Sequence, residues 1–250
     1  MSIWRNFADD FTFALSAPNG AQVALITRNI VSAPAGVGNT TVTVSYRQPT
    51  HYSVGQEVFF AFRADTGPGV VPGIWTLRIT GTQVVDGQLD VWLPTVEEVS
   101  AETAFFRPSA AVTLTIPATA GRVVTVGGYD AARGSIAPFS GQGSLRDGAD
   151  SKPDLVAPAV DVSSARAGGG YDVFTGTSMA APFVTGAAAL MMEWGVVQGN
   201  DPFLYGQRVK AFLRRGAARD LGQTYPNPSW GYGKLCLKTS LDTLQTYSQF

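Results

Sequence analysis

The sequence predicts two domains of different fold class, an antiparallel β-sandwich over residues 1–116 and an α/β domain over residues 117–250. Before residue 117, short alternating runs of β-branched and aromatic residues are separated by glycine and proline turns, as in sandwiches. After it, short apolar runs are interspersed with helical segments, which is typical of a parallel sheet covered by helices. The net charge of −1 and the charged fraction of 15% give no field that favours nucleic acid or an anionic membrane.

Seven short strands are predicted in the first domain, at residues 11–15, 22–27, 40–46, 57–63, 74–79, 89–93 and 112–116. This series of strands favours a sandwich of jelly-roll type. Residues 18–20 form a turn signal, and residues 86–87 predict a hairpin between the fifth and sixth strands. Trp75 and Trp92 lie on these two strands, where we expect packing rather than a sugar-binding platform.

The second domain is predicted to contain strands at residues 123–126, 154–157 and 171–174. Three helices are also predicted: one begins at Ser178, one begins at Asp201, and the last covers residues 237–245. Asp201 is predicted to cap the middle helix, with Pro202 at its first position. The basic residues of that helix are predicted to form a solvated face; they are Arg208, Lys210, Arg214 and Arg215. The single cysteine, Cys236, excludes an internal disulfide and is expected to be a buried small hydrophobe.

Residues 174–190, Phe-Thr-Gly-Thr-Ser-Met-Ala-Ala-Pro-Phe-Val-Thr-Gly-Ala-Ala-Ala-Leu, place Ser178 at the start of an almost wholly apolar helix. So few polar side chains predict a buried helix, with Pro182 in its first turn. The Ser178 hydroxyl would lie among unpaired backbone N–H groups, which stabilise the oxyanion formed when a serine attacks a peptide carbonyl. The alternative is that Ser178 is only the helix N-cap, a common role for serine.

The string Gly-Thr-Ser-Met-Ala-Ala-Pro at residues 176–182 resembles the nucleophile motif of the subtilisin-like serine proteases. Residues 122–129, 136–140 and 152–158 resemble three further motifs of that family, in the family's order. The resemblance implies that residues 117–250 are the C-terminal part of a subtilisin-like catalytic domain. The arrangement of a β-sandwich before this part is most similar to that of bacterial subtilases with the layout of the clostridial germination proteases.

This resemblance implies the roles of four residues in peptide-bond hydrolysis through an acyl-enzyme. Ser178 is expected to be the nucleophile and its backbone N–H an oxyanion donor. Thr177 is expected to support the oxyanion, while Gly176 and Thr175 border the cleft. The implied substrate is a peptide or protein, and no cofactor or metal is implied.

Two members of the family's catalytic triad have no match in this chain. The Asp-Thr-Gly motif and the His-Gly-Thr-His motif are both absent, and the single histidine, His51, lies in a polar turn where a surface residue is expected. The asparagine of the family's oxyanion hole also has no match. Because a serine without a base is a poor nucleophile, we expect the chain alone to be inactive.

The missing aspartate, histidine and asparagine are expected to come from an N-terminal segment on another polypeptide. A partial sheet would leave an apolar face uncovered, so a partner chain or a homo-oligomer is expected. Two other hypotheses stay open: a pseudoprotease or sensor, and a binding module formed by the sandwich. The apolar run at residues 179–197 is expected to be a core helix rather than a membrane span. No signal peptide is predicted, and the parent protease is expected in a secreted or spore-envelope setting.

Overall fold

The computed structural model describes residues 1–27, 33–51, 53–67, 69–94, 98–100, 102–143 and 151–247. The chain forms two compact units, Met1–Pro108 and Ser109–Phe250. The predicted division after residue 116 therefore falls inside the second unit. The expected strand at residues 112–116 is wrong, because this segment consists of turn residues and irregular structure. Its backbone pairs instead with the second unit, since the Val112 and Thr113 N–H groups donate to the carbonyls of Gly143 and Gln142.

The first unit consists of two antiparallel sheets, one with strand order β4-β5-β6-β1-β8 and one with order β3-β2-β7. The strands are β1 (Ser2–Asn6), β2 (Asp10–Ser16), β3 (Gln22–Ile26), β4 (Ala35–Val37), β5 (Thr40–Tyr46), β6 (Gly55–Ala64), β7 (Thr76–Gln83) and β8 (Leu89–Trp92). Strands β1 and β4 were not expected from the sequence. Two sheets make a sandwich, and jelly-roll connectivity stays a prediction.

One apolar core is shared by both sheets of this unit. Strand β2 buries every second residue, and Phe11, Phe13 and Leu15 pack against Ile3 of β1 and Phe60 of β6. This alternation is what the sequence predicted for a half-buried strand.

The predicted hairpin at residues 86–87 is wrong. Strand β7 pairs with β2, while β8 pairs with β1 in the other sheet, so the turn connects the two sheets. Trp75 consequently does not face Trp92; its ring packs edge-on against Phe62 and its indole N–H donates to the Val71 carbonyl at 3.1 Å. The expected packing role of Trp75 is confirmed.

A buried carboxylate holds the turn between the sheets. Asp9 is 2% exposed and accepts the backbone N–H groups of Val85, Asp86 and Gly87 at 2.6, 2.9 and 2.9 Å. Burial raises the pKa of Asp9, but the three N–H donors and the nearby Arg5 outweigh it, so the pKa lies below its ordinary value of 3.8. The ionised carboxylate thus replaces the ladder hydrogen bonds that a hairpin would have supplied.

The second unit contains five strands and three helices within the described residues. They are β9 (Val126–Asp130), β10 (Ser135–Ile136), β11 (Leu155–Pro158), β12 (Val162–Ala165), β13 (Tyr171–Phe174), α1 (Thr177–Met192), α2 (Gln207–Arg215) and α3 (Leu237–Tyr247). A π turn, Glu193–Val197, continues α1. Strands β9 and β11 are parallel, β10 is antiparallel to β9, and β12 with β13 forms a separate antiparallel hairpin. Of the predicted parallel sheet, the described residues contain this one pair of parallel strands and an isolated parallel bridge between Val156 and Lys234.

Helix α2 begins at Gln207 rather than at Asp201, because Gly206 occupies its N-cap. Asp201 lies in the turn before α2, where its carboxylate accepts a hydrogen bond from the Nε of Arg208 at 2.7 Å. The predicted solvated basic face is only partly correct, since Lys210 is 3% exposed. Its ammonium group donates to the carbonyls of Gly121 and Val123.

Lys210 belongs to a buried cluster in which the described residues include one anion and three cations. Asp154 is fully buried and lies 3.5 Å from Lys152, 3.3 Å from Lys210 and 2.5 Å from the Nε of Arg214. Its second oxygen accepts the Thr125 N–H at 2.6 Å. Burial lowers the pKa of Lys152, and the attraction of Asp154 opposes that effect only in part. The cluster ties α2 to the start of β11.

Cys236 is not fully buried as expected. It is partly exposed immediately before α3, and its Sγ lies 3.1 Å from the Thr239 hydroxyl. That hydrogen bond is the main cause of a lowered pKa of the thiol.

The lowered pKa of Asp9 predicts acid sensitivity of the first unit. A depressed folded-state pKa stabilises the fold above the ordinary pKa of 3.8, and this contribution is lost as the pH falls through the folded-state value. We expect Asp9→Asn to have a lower free energy of unfolding than the wild type at pH 7. The difference between the two should shrink as the pH falls from about 5 to about 2, because the wild-type carboxylate becomes protonated. Urea titrations followed by hydrogen exchange of peptides from residues 1–27 would measure it.

Asp10→Asn is the matched control, since the Asp10 carboxylate has no hydrogen-bond partner among the described residues. Equal acid sensitivity of the Asp9→Asn variant and the wild type would contradict the assignment.

Candidate active site

Helix α1 begins at Thr177 because glycine allows a sharp entry just before it. Gly176 is the N-cap, with φ of 150° and ψ of 160°, a combination that side chains disfavour. Its N–H donates to the carbonyl of Ala159, just beyond β11, at 2.8 Å. No side chain caps the helix. Ser178 is the second helical residue, so the alternative that it is the N-cap is wrong.

The Ser178 side chain is exposed at the start of this helix. It lies two residues before Ala180, the first residue of the buried stripe, and is thus about 200° away around the helix. Within the described ranges its hydroxyl has no hydrogen-bond partner. The Met179 N–H donates to the Gly176 carbonyl at 3.0 Å, while backbone N–H groups at a helix start generally lack helical acceptors.

Pro182 lies inside α1 and not in its first turn as expected. It is the sixth residue from Thr177, so its missing N–H removes the helical hydrogen bond to the Ser178 carbonyl. The backbone at the serine is therefore held by fewer helical bonds than the sequence analysis assumed.

Thr177 is fixed by a close approach of α1 to β9. A Cβ atom on Gly128 would lie 2.6 Å from the Cβ of Ala159 and 3.4 Å from the Cγ2 of Thr177, so only glycine fits there. The Gly128 N–H donates to the Ser140 hydroxyl at 3.0 Å. Segments 122–129, 136–140 and 152–158 thus converge on the start of α1. The sequence identified these segments but gave no sign of the contacts between them.

Thr175 is positioned by a residue that the sequence analysis missed. Its hydroxyl oxygen accepts the Asp161 N–H at 3.0 Å and lies 3.4 Å from the Asp161 carboxylate. Asp161 has a φ of 53°, in the left-handed region that aspartate tolerates better than most residues. The backbone N–H and the carboxylate of Asp161 therefore both hold the threonine of the entry turn, three residues before Ser178.

The second unit contains no histidine, because the single His51 belongs to the first unit, where it is exposed in a turn as expected. No group of three or more His, Cys, Asp or Glu side chains within the described ranges is arranged to hold a metal ion. Next to Thr177 lies a cavity of about 340 Å³, which Phe139, Ser140 and the segment at residues 110–118 also line. The site has an exposed hydroxyl and helix-start N–H groups, and within this unit it has no imidazole base.

Helix α1 is buried along one stripe and exposed along another. Ala180, Val184, Ala187 and Met191 are buried against the rest of the second unit. The expectation of a wholly buried helix is wrong for the described residues, because they cover only that side. The exposed apolar residues include Phe183 at 43%, Leu190 at 51%, Val196 at 41% and Val197 at 79%, which we call the α1 stripe.

Residues Thr177–Val197 form a continuous helical stretch of 21 residues with a mean hydropathy of 1.4, long and apolar enough by composition to cross a membrane. Core helices of globular proteins also have these properties.

The sequence model of the subtilase family matches residues 99–233. The serine protease AprX of Bacillus subtilis strain 168 is 31% identical over 124 residues, which cover 42% of this chain and 26% of that protein. The subtilisin of Bacillus pumilus is 39% identical over 122 residues, 49% of this chain and 37% of that protein. The chain thus spans well under half of these relatives.

The fold is also similar to a solved structure, the CspB protease of Clostridium perfringens. The two superpose with a TM-score of 0.90 at 34% sequence identity. The match covers 98% of this chain and 51% of the other, so this chain corresponds to about half of that protein.

The backbone conformation at Gly176 predicts that a side chain there disturbs the entry to α1. We expect Gly176→Ala to lower the free energy of unfolding of the second unit by about 1–3 kcal/mol, the usual cost of a residue in a sparsely populated backbone region. Urea unfolding followed by hydrogen exchange of peptides from α1 would measure the change.

Gly186→Ala is the matched control on the same helix. A Cβ atom at Gly186 meets open space, so alanine should stabilise the helix by about 0.5–1 kcal/mol. A Gly176→Ala variant as stable as the wild type would contradict the structural role of this glycine.

Proposed function

Because the chain belongs to the subtilase family, we propose that it carries the nucleophile of a serine endopeptidase, Ser178, and is inactive until a second polypeptide segment supplies the base. The observation that carries the proposal is the Ser178 hydroxyl itself. It is exposed at a helix start, it has no hydrogen-bond partner among the described residues, and it lies in the family's nucleophile string. A serine that served only as a cap would be bonded to the backbone of its own helix.

The proposed reaction is acyl transfer from a peptide or protein substrate. A base on the second segment takes the proton of the Ser178 hydroxyl as its oxygen bonds to the peptide carbonyl carbon. The negative charge then develops on the carbonyl oxygen, where the backbone N–H of Ser178 and the hydroxyl of Thr177 stabilise it. The proton passes to the leaving amine, and water hydrolyses the acyl-enzyme.

Thr175 and Gly176 border the cleft in this proposal. The pair of hydrogen bonds between Thr175 and Asp161 supports a rigid entry turn, which keeps Ser178 in place without a cap on the helix. Preorganisation of this kind matters because a small displacement of the nucleophile costs a large part of the rate.

The α1 stripe supports the need for a second segment. Exposed apolar side chains along a continuous helix favour association, and a segment that covers the stripe would lie beside Ser178. We propose that this segment provides the aspartate and histidine of the triad and the asparagine of the oxyanion hole. A homo-oligomer would cover the stripe without providing these residues, because every copy has His51 as its single histidine.

The alternative is a chain that binds peptides, or binds a ligand through its sandwich, without cleaving. It predicts the same fold and a similar partner, so only chemistry at Ser178 distinguishes the two.

Labelling with a fluorophosphonate probe tests the proposal. We expect the chain alone to be unlabelled at Ser178, since the probe reacts with serines that have a base. A complex with the half of the Clostridium perfringens CspB protease that this chain does not match should be labelled at least about 10³-fold faster, the usual scale of a triad's contribution. Mass spectrometry of the labelled peptide would identify the site.

Ser178→Ala is the control and should abolish labelling of the complex. Rapid labelling of the pure chain alone would contradict the claim that it lacks a base. A stable, purified complex that stays unlabelled would favour the binding-only alternative.

A further inference from the structure

A charged turn lies at the end of β9, close to the entry of α1. Asp130, the last residue of β9, is buried, and its carboxylate accepts the backbone N–H groups of Ala132 and Arg133 at 2.9 and 3.1 Å. The same carboxylate forms an ion pair with the Arg133 guanidinium at 2.5 Å. The Arg133 side chain is 74% exposed, so the turn holds a positive charge at a fixed position on the surface.

Two backbone hydrogen bonds bring this turn next to the entry of α1. The Ala159 N–H donates to the Tyr129 carbonyl at 2.9 Å, and the Ala159 carbonyl accepts the Gly176 N–H at 2.8 Å. Because β9 and β11 are parallel, the segments that follow them lie at the same edge of the sheet. Arg133 follows β9 and Asp161 follows β11, so both charged residues belong to this edge.

The Asp161 carboxylate interacts with the Arg133 charge through space. The pKa of Arg133 is raised, mainly by its hydrogen bond to Asp130 and to a smaller extent by the charge of Asp161. Asp161 has a φ of 53°, and both its N–H and its carboxylate are engaged with Thr175. A residue in this backbone region costs free energy and persists only where surrounding groups hold it. A fixed positive charge near the carboxylate is such a group.

We propose that Arg133 is a positioning residue for Ser178. Anchored on Asp130, it orients the Asp161 carboxylate, which in turn holds Thr175 and the entry turn before the serine. This inference rests on the proposed function, because it concerns the geometry of that nucleophile. Arg133 takes no part in the chemistry and acts through Asp161. Because a small displacement of a nucleophile costs a large part of the rate, a loosened entry turn should be measurable.

Hydrogen exchange of the Asp161 amide tests the inference in the chain alone, where no catalysis is needed. This N–H donates to the Thr175 hydroxyl at 3.0 Å, so its protection reports whether the two residues are held together. We expect Arg133→Gln to quicken the exchange about threefold, the scale of an exposed charge pair, and Arg133→Lys to restore the wild-type rate. Arg166→Gln is the matched control and should exchange as the wild type does, since Arg166 is also exposed and donates through Nε to a backbone carbonyl, that of Gly169.

Fluorophosphonate labelling of the complex with the other half of the CspB protease tests the consequence for Ser178. At low ionic strength Arg133→Gln should be labelled about threefold more slowly than the wild type, and added salt should shrink the difference because it screens the charges. Arg133→Lys should restore the rate, since it keeps the charge, whereas a role in packing alone predicts no such rescue. In a Thr175→Val background Arg133→Gln should have no further effect, because both residues act through the same contact.

Two results would overturn the inference: an Asp161 amide that exchanges equally fast in the wild type and in Arg133→Gln, or a complex that is labelled equally fast with either chain. A complex that is labelled with neither would count against the proposed function instead, and amide exchange would still decide the role of Arg133. If Arg133→Gln fails to fold, a salt titration of the wild-type chain decides. Exchange of the Asp161 amide should then quicken relative to that of the Ala159 amide, which donates to the uncharged carbonyl of Tyr129. An equal response of the two amides would overturn the assignment.

Discussion

The second unit depends on the packing of one helix by one of its sides. Helix α1 presents Ala180, Val184, Ala187 and Met191 to the sheet, and the glycine at position 128 lets its first turn approach β9 closely. This contact fixes where Thr177 and Ser178 lie. The same helix carries exposed apolar residues along the α1 stripe, so the element that positions Ser178 is also the one that the described residues leave partly uncovered. The buried side that positions Ser178 and the exposed α1 stripe are therefore two sides of one helix.

The buried charge cluster at Asp154 is the second interaction that holds the elements of this unit together. Removing one partner of a buried pair generally costs several kcal/mol, because the remaining charge stays without water. Here one carboxylate serves Lys152, Lys210 and Arg214, so β11 and α2 share a single electrostatic anchor.

The sequence predicted the strands with alternating apolar residues well, because their pattern reflects one buried face: β2, β5 and β6 agree closely with the expectation. It predicted the connection at residues 86–87 wrongly, because a turn signal does not say whether the next strand pairs with the last one, and Asp9 decides this from a distance of more than seventy residues. The identities of Thr175, Gly176, Thr177 and Ser178 followed from a local string. The partner of Thr175, Asp161, has no such signal, since that contact exists only in the folded chain. The burial of α1 was overestimated, because an apolar sequence does not reveal how many of its sides have a neighbour.

The central claim is that the α1 stripe is an association surface, which copies of this chain cover when no second segment is present. Sedimentation velocity of the pure chain tests it most directly, with Phe183→Lys and Leu190→Lys as the variants in α1. Val54→Lys is the control, because Val54 is an apolar residue of the first unit whose side chain is 59% exposed. The account predicts that the wild type and the control self-associate at concentrations of about 10 µM, whereas the two variants in α1 sediment as monomers. A wild-type chain that stays a monodisperse monomer, with no difference from the α1 variants, would contradict it.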